Sequence, residues 1–156
     1  MSLSKQELID CSGNNGCQGG YLGQTYKYIA DRGGLTQESS YPYKMTQSNV
    51  CSKKANKAGA IKGHGNVQRG DEEAMKQALI KYGPLAAAIH TTSDLQFYAA
   101  SSGGRGSDII DIPSCSRQVD HAITIVGFGT ENGKDYWSML LFFTAKYRRF
   151  FFSFLF

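Results

Sequence analysis

The sequence holds four cysteines but no Cys-x-x-Cys pair, so the commonest spacing of a zinc site is missing and no metal is expected. No apolar run approaches the roughly 20 residues that a membrane-spanning helix requires. Lysine and arginine form no stripe of the kind a nucleic-acid binder presents, which sets that partner aside. The stretch from Ser101 to Asp108 is rich in serine and glycine but lacks the spacing and the lysine of a phosphate loop, so it reads as a low-complexity loop without chemistry. Met1-Ser2-Leu3 shows neither the basic n-region nor the apolar h-region of a signal peptide. Acidic residues are missing from 138–156, where Lys146, Arg148 and Arg149 supply most of the excess of 17 Lys and Arg over 13 Asp and Glu. The mildly basic balance is therefore a property of the tail.

The chain is organised around Val119–Gly129. Asp120-His121 is followed at once by five small or β-branched residues, Ala122 to Val126, and then by Gly127 and Gly129. A short apolar run bounded by glycines reads as a buried strand. A histidine at the mouth of such a strand has its backbone fixed by the sheet and its ring left at an edge. That mounting suits a catalytic imidazole, whose position must hold to a fraction of an ångström. An ordinary polar residue ending a strand is the alternative, and spacing alone favours it. His64 and His90 lack both the Asp neighbour and the long strand, and read as surface or satisfied polar residues.

Around that strand the chain is legible in pieces. Ser4 and Glu7 have the spacing of a capping box, which starts a helix that Cys11 closes. Ser12 to Gly16 is turn chemistry. After Gly19-Gly20 a second helix presents Leu22, Tyr26, Ile29 and Ala30 on one face, and Gly33-Gly34 stops it. Residues 36–66 read as loop and turn, with Tyr41-Pro42-Tyr43 extended and Lys53 to Lys57 a solvated basic stretch. Asp71 caps a third helix whose buried face holds Met75, Ala78, Leu79 and Tyr82, ended by Gly83-Pro84. Leu85 to Ile89 is a strand, Asp94 to Ala99 a short helical turn, and Asn132-Gly133 a hairpin signal. At 156 residues the chain suffices for one modest domain with a core.

Several of these stretches together resemble the papain-like cysteine peptidases, cathepsin L types included. Val119-Asp120-His121-Ala122, the β run and Gly127-Phe128-Gly129 are similar to that family's histidine segment. Leu3-Ser4-Lys5-Gln6-Glu7-Leu8-Ile9-Asp10-Cys11 resembles its L-S-E-Q-x-L-x-D-C helix, and Gly16-Cys17-Gln18-Gly19-Gly20 its G-C-x-G-G loop. Tyr41-Pro42-Tyr43, Tyr82-Gly83-Pro84-Leu85, Phe97-Tyr98 and Tyr136-Trp137 follow in the family's order. Several independent motifs in order are far more specific than one short match. The resemblance covers about residues 2 to 137 and stops after Trp137.

It implies an α+β papain-like two-domain fold, incomplete in this chain. Residues 1–58 correspond to part of the helical domain, 59–137 to the β-rich domain carrying the histidine, and 138–156 to an aberrant tail holding seven of the nine phenylalanines. It implies peptide-bond hydrolysis by a cysteine thiol with no cofactor, a peptide or protein as partner, and a lysosomal or extracellular setting. His121 is then the catalytic imidazole. Gly19 and Gly20 offer backbone to an extended substrate, and Tyr21, Leu22, Ala88, Asp120 and Ala122 take part in binding it, none of the pocket-lining four being charged.

The same resemblance pairs Cys11 with Cys51. It gives Cys17 a partner upstream of Met1, and Cys115 one beyond the point where the pattern is lost. In such peptidases the nucleophile, set in Cys-Gly-Ser-Cys-Trp, lies about 130–150 residues before the histidine. Counting back from His121 passes position 1, so the nucleophile and the oxyanion-hole Gln are expected outside these residues. The family's Asn-Ser-Trp-Gly, whose Asn orients the histidine, has no counterpart after Trp137. An inactive chain, a non-catalytic peptide-binding remnant and a non-functional fragment are the readings that follow beside the peptidase itself.

Overall fold

A computed structural model of the chain describes residues 1–52, 56–93, 95, 109–112, 116–141 and 146–151. Its contacts gather into two units, Met1–Asn66 and Val67–Phe156.

The first unit opens with helix α1 (Lys5–Cys11), capped by the Ser4 hydroxyl, which accepts from the Glu7 amide. The other half of the predicted capping box does not form. Glu7 turns inward instead: one carboxylate oxygen accepts from the Thr36 amide at 2.8 Å, and the other from Tyr28 and Arg32. The Ser4 amide donates to the Thr36 carbonyl, so its cap partner is supplied by the chain some thirty residues on. A carboxylate so buried must be paired and hydrogen-bonded, and Arg32 meets that need better than a backbone amide alone.

A short 3₁₀ turn (Gly16–Gln18) leads to helix α2 (Leu22–Arg32). The helix ends as expected: Gly33 is left-handed at φ 72°, and the amides of Gly33 and Gly34 return to the carbonyls of Ala30 and Ile29. The loop reading of 36–66 missed a small antiparallel ladder, β1 (Leu35–Thr36) with β2 (Lys57–Gly59). Two- and three-residue strands carry no alternation to read. Tyr41 is buried beneath this region, accepting the Ser4 hydroxyl on its carbonyl and donating its own hydroxyl to Asp10. A Cys11–Cys51 disulfide closes the unit, with the Cα atoms 5.0 Å apart. Across a sequence separation of 40, the chain-entropy model gives such a link about 4 kcal/mol.

In the second unit, helix α3 (Glu72–Tyr82) starts at Asp71, whose side chain accepts from the Ala74 amide. Leu79 is buried and Met75 packs beside the core, but Tyr82 is 72% exposed, against the face predicted for it. It is the last residue of the helix, where the chain already turns off through Gly83. Strands β3 (Leu85–Ile89), β4 (Ile110–Asp111), β5 (His121–Glu131), β6 (Lys134–Leu141) and β7 (Lys146–Phe151) form one sheet in the order β3-β5-β6-β7-β4. Asn132 and Gly133, at φ 53° and 76°, make the two-residue turn between β5 and β6 that their pairing signals.

The core joins Leu79, Ile89, Leu95, Ile112, Ile123, Ile125, Trp137 and Met139. Neither β4 nor β7 was foreseen. Residues 146–151 of the tail read as aberrant continue the sheet, with β7 antiparallel to β6 and parallel to β4. The family pattern is lost there, but strand pairing needs only backbone groups. The predicted turn at 94–99 (Leu95 apart), the loop 101–108, Cys115 and Lys53 to Ala55 lie outside the described residues.

Candidate active site

His121 is the first residue of β5 and stands opposite Ile89 of β3, with Ala122 opposite Ala88 and Ile123 opposite Ala87. Directly opposed residues share a face, and faces alternate along a strand. His121 therefore lies on the same face as Ile89, Ile123 and Ile125, all three buried, at the open end of that apolar row. The residue is half-buried. Ala88 and Ala122 oppose each other on the other face, so the predicted binding alanines do form a pair.

Asp120 is anchored beside them. Its amide donates to the Ile89 carbonyl at 2.9 Å. One carboxylate oxygen accepts from the Thr91 amide at 2.7 Å and the Thr91 hydroxyl at 2.9 Å; the other lies 3.4 Å from His90 Nδ1. The Thr91 amide, aided by its hydroxyl and by His90, holds the Asp120 carboxyl below the usual range. His90 thus has the Asp neighbour that its local sequence denies it. The reason is register: β3 and β5 bring residues 89–91 alongside 118–121. His64 stacks on Tyr26 in the first unit, the rings 5.8 Å apart.

The first unit holds the glycine segment. Gly19 ends the short helix at φ 97° and ψ −162°, a conformation that L side chains rarely adopt. No atom lies within 4 Å of where its Cβ would stand, so its backbone faces open space. Gly20 is glycine for a different reason: a Cβ would meet the Asn14 side chain at 2.4 Å. Asn14 accepts from the Tyr21 amide and donates to the Thr25 hydroxyl, both at 2.8 Å, tying the glycines to the start of α2. Tyr21 is 75% exposed and Leu22 half-buried. Asn14 was legible only as turn chemistry; its reach to Thr25 was not.

Of the cysteines, Cys11 and Cys51 are bonded to each other and Cys17 is free and exposed. A groove of about 560 Å³ lined by Lys76, Asp111, Phe128, Lys134 and Tyr136 lies at the far, hairpin end of β5, away from His121. Among the described residues no three His, Cys, Asp or Glu side chains gather as a metal site, and no helix is long and apolar enough to cross a membrane.

The chain as a whole matches known proteins in sequence and in fold. Residues 1–140 match the model of the papain family cysteine proteases, three residues past the end of the resemblance seen in the sequence. The chain is 39% identical over 142 residues to cathepsin S of Mus musculus, covering 88% of this chain and 40% of that protein. It is 38% identical over 143 residues to cathepsin L1 of Drosophila melanogaster, covering 88% of this chain and 37% of that one. It spans about two fifths of the length of these curated relatives. Among solved structures, digestive procathepsin L 3 of Tenebrio molitor superposes with a TM-score of 0.82 at 32% identity, covering 96% of this chain and 49% of the other. The bromelain protease of Ananas comosus gives 0.82 at 28% identity, covering 96% and 68%. The chain belongs to the papain family of cysteine proteases.

Proposed function

We propose that this chain is the histidine-bearing part of a cysteine endopeptidase that works through an acyl-thioester. The observation that carries the reading is His121, fixed at the head of β5 by its register with β3 in a chain of this family. In the proposed reaction a cysteine thiolate, formed by proton transfer to His121, adds to the scissile carbonyl. His121 then gives that proton to the leaving amine as the C–N bond breaks. Water, deprotonated by His121, opens the thioester and restores the thiol. Gly19 and Gly20 pair with substrate backbone. By the family resemblance, an apolar side chain, such as Leu or Phe, is preferred one residue before the scissile residue, and Asp120 anchors the segment that leads into His121. A lysosomal or extracellular setting suits the Cys11–Cys51 disulfide.

Within residues 1–156 we assign no nucleophile. Cys11 and Cys51 have no thiol to ionise, and the resemblance places Cys17 and Cys115 in disulfides of the longer protein. No asparagine follows Asn132 to orient the imidazole. A histidine alone gives about 10²–10⁴-fold of general-base help, short of the 10⁶-fold or more typical of enzymes. The 156-residue chain by itself therefore leaves a dipeptide amide uncleaved, whereas the full-length product of its transcript cleaves it and loses that activity on His121→Ala. Turnover by the short chain, abolished by His121→Ala, would move the nucleophile to one of its own cysteines. A full-length product without turnover would leave a peptide-binding remnant.

A further inference from the structure

We propose that His90 is a positioning residue for His121, acting through the turn that delivers it; the inference rests on the peptidase reading for its catalytic consequence but not for its geometry. His90 Nδ1 lies 2.9 Å from the Gln118 carbonyl oxygen and 3.4 Å from the second carboxylate oxygen of Asp120. A carbonyl only accepts, so Nδ1 carries a proton in this contact. One N–H thus spans the first and last residues of the three that lead into His121.

Within the segment itself, the Gln118 amide donates to the Ser116 hydroxyl at 3.1 Å. Gln118, Val119 and Asp120 are all exposed, Val119 by 48%, so apolar packing does not hold the turn. What holds it is a polar clamp supplied by the end of β3 and the two residues after it. Ile89 accepts the Asp120 amide, Thr91 gives two hydrogen bonds to the Asp120 carboxylate, and His90 closes the upstream end on Gln118. The peptide plane between Asp120 and His121 sets the direction in which the imidazole leaves the strand. Removing the His90 contact frees the Gln118 carbonyl and one side of Asp120. The contacts that reach the turn from the β3 side are then reduced to Ile89 and Thr91, and the ring of His121 samples a wider set of orientations.

The consequence for catalysis follows from how sharply rate depends on placement, where an error of about 1 Å costs on the order of 100-fold. A loosened turn with most of its clamp intact costs less, about tenfold in kcat. KM stays within about twofold, because His90 is not assigned to substrate contact.

Two substitutions separate the N–H from the shape of the ring. His90→Phe keeps a ring but loses the donor; His90→Asn loses the ring but places an amide N–H near the position of Nδ1. His90 is partly exposed, with 27% of its side chain open, and lies outside the apolar core, so both are tolerated. Each is made in the full-length product of the transcript. Its turnover of a dipeptide amide is measured together with the His121 Cε1–H signal by histidine-labelled NMR. The expected result is that His90→Phe lowers kcat about tenfold at nearly constant KM and shifts or broadens the His121 signal. His90→Asn restores both. An unchanged His121 signal in His90→Phe overturns the proposal, as does an unchanged kcat in an active protein or a loss that Asn leaves unrepaired. If the unsubstituted protein shows no turnover, the peptidase reading falls, and the His121 signal alone decides the positioning role.

Discussion

The two units are held together by opposite means. Among the described residues, the first buries Ser4, Gln6, Glu7, Ser12 and Thr36 beside two large apolar side chains, Leu35 and Tyr41. The second buries Leu79, Ile89, Leu95, Ile112, Ile123, Ile125, Trp137 and Met139, and no buried polar residue among those described. The first interior is a set of directed bonds, each needing its own partner; the second is an apolar contact layer whose stabilisation scales with area and is indifferent to direction. A polar interior specifies geometry and is brittle to loss of a partner. An apolar one is graded, and responds to volume.

Glu7 offers the sharpest break. Its side chain is 1% exposed and that of Arg32 12%, and Glu7 also serves Tyr28 and Thr36. Burial pushes its carboxyl up, yet the bonds from Thr36 and the Arg32 guanidinium bring it below the usual range. The same surroundings, burial first and then the Glu7 charge, push the Tyr28 hydroxyl up to about 12. Glu7→Ala removes the buried carboxylate that Arg32, Tyr28 and Thr36 share and costs about 3–5 kcal/mol. Hydrogen exchange should show α1 and α2 opening while the β5 and β6 amides stay protected. Equal loss in both units would mean the first interior is not an independent brittle point.

Ile125→Ala is the matching change in the second unit. Ile125 is fully buried in the central part of β5, and deleting its side chain costs about 3 kcal/mol through lost transfer energy and the cavity left behind. Because no titrating group is involved, urea midpoints for this variant should fall by the same amount at pH 5 and pH 7.

Acid separates the units by charge. Glu7, Asp10 and Glu38 of the first unit all have carboxyls held below their ordinary values. Burial works against this in Asp10, and the Ser48 amide, Tyr41 and Gln6 outweigh it; in Glu38 the Lys5 and Tyr43 amides act first. A depressed folded pKa means the unfolded chain binds protons first. The stability these groups give is complete above their ordinary values of 4.5 and 3.8, and drains away as pH falls below them. In the second unit only Asp120 is depressed among the described groups. Exchange followed from pH 5 to pH 3 should therefore rise in α1 and α2 before β5 and β6. The reverse order would mean the apolar sheet is the acid-labile part.

The same contrast decides what could be read in advance. β5 was legible because a buried strand writes its own composition, and α2 because its face and its stopping glycines are local. The Cys11–Cys51 bond followed from the family resemblance and is present. What escaped is long-range and polar. Glu7 looks like half of a capping box until Arg32 arrives from the end of the next helix and Thr36 from just past it. His90 looks like a surface histidine until the register of β3 and β5 sets it against Asp120, thirty residues later. β1, β2 and β4 are too short to carry a period, and β7 is built where family pattern gives no guide.

The smallest expected effect tests whether local chemistry alone sets the β5–β6 register. Asn132 sits at φ 53° and Gly133 at φ 76°, and the turn they form fixes Glu131 opposite Lys134. Asn reaches the left-handed region at lower cost than other side-chain-bearing residues, because its short amide bonds locally; Ala does not. Asn132→Ala should cost about 1 kcal/mol, and Asn132→Gly close to nothing. The sheet beyond the turn is pinned by Trp137 opposite Phe128, their rings 5.8 Å apart edge to face, and by Met139 opposite Ile125. These apolar pairs resist a slip, because moving one residue would turn Trp137 and Met139 out of the core. Amide exchange at Phe128 and Trp137 in Asn132→Ala should then keep its native pattern, with faster exchange confined to Thr130–Asp135. A shifted pattern at Trp137 would show that the turn, and not the apolar core, holds the strand in register.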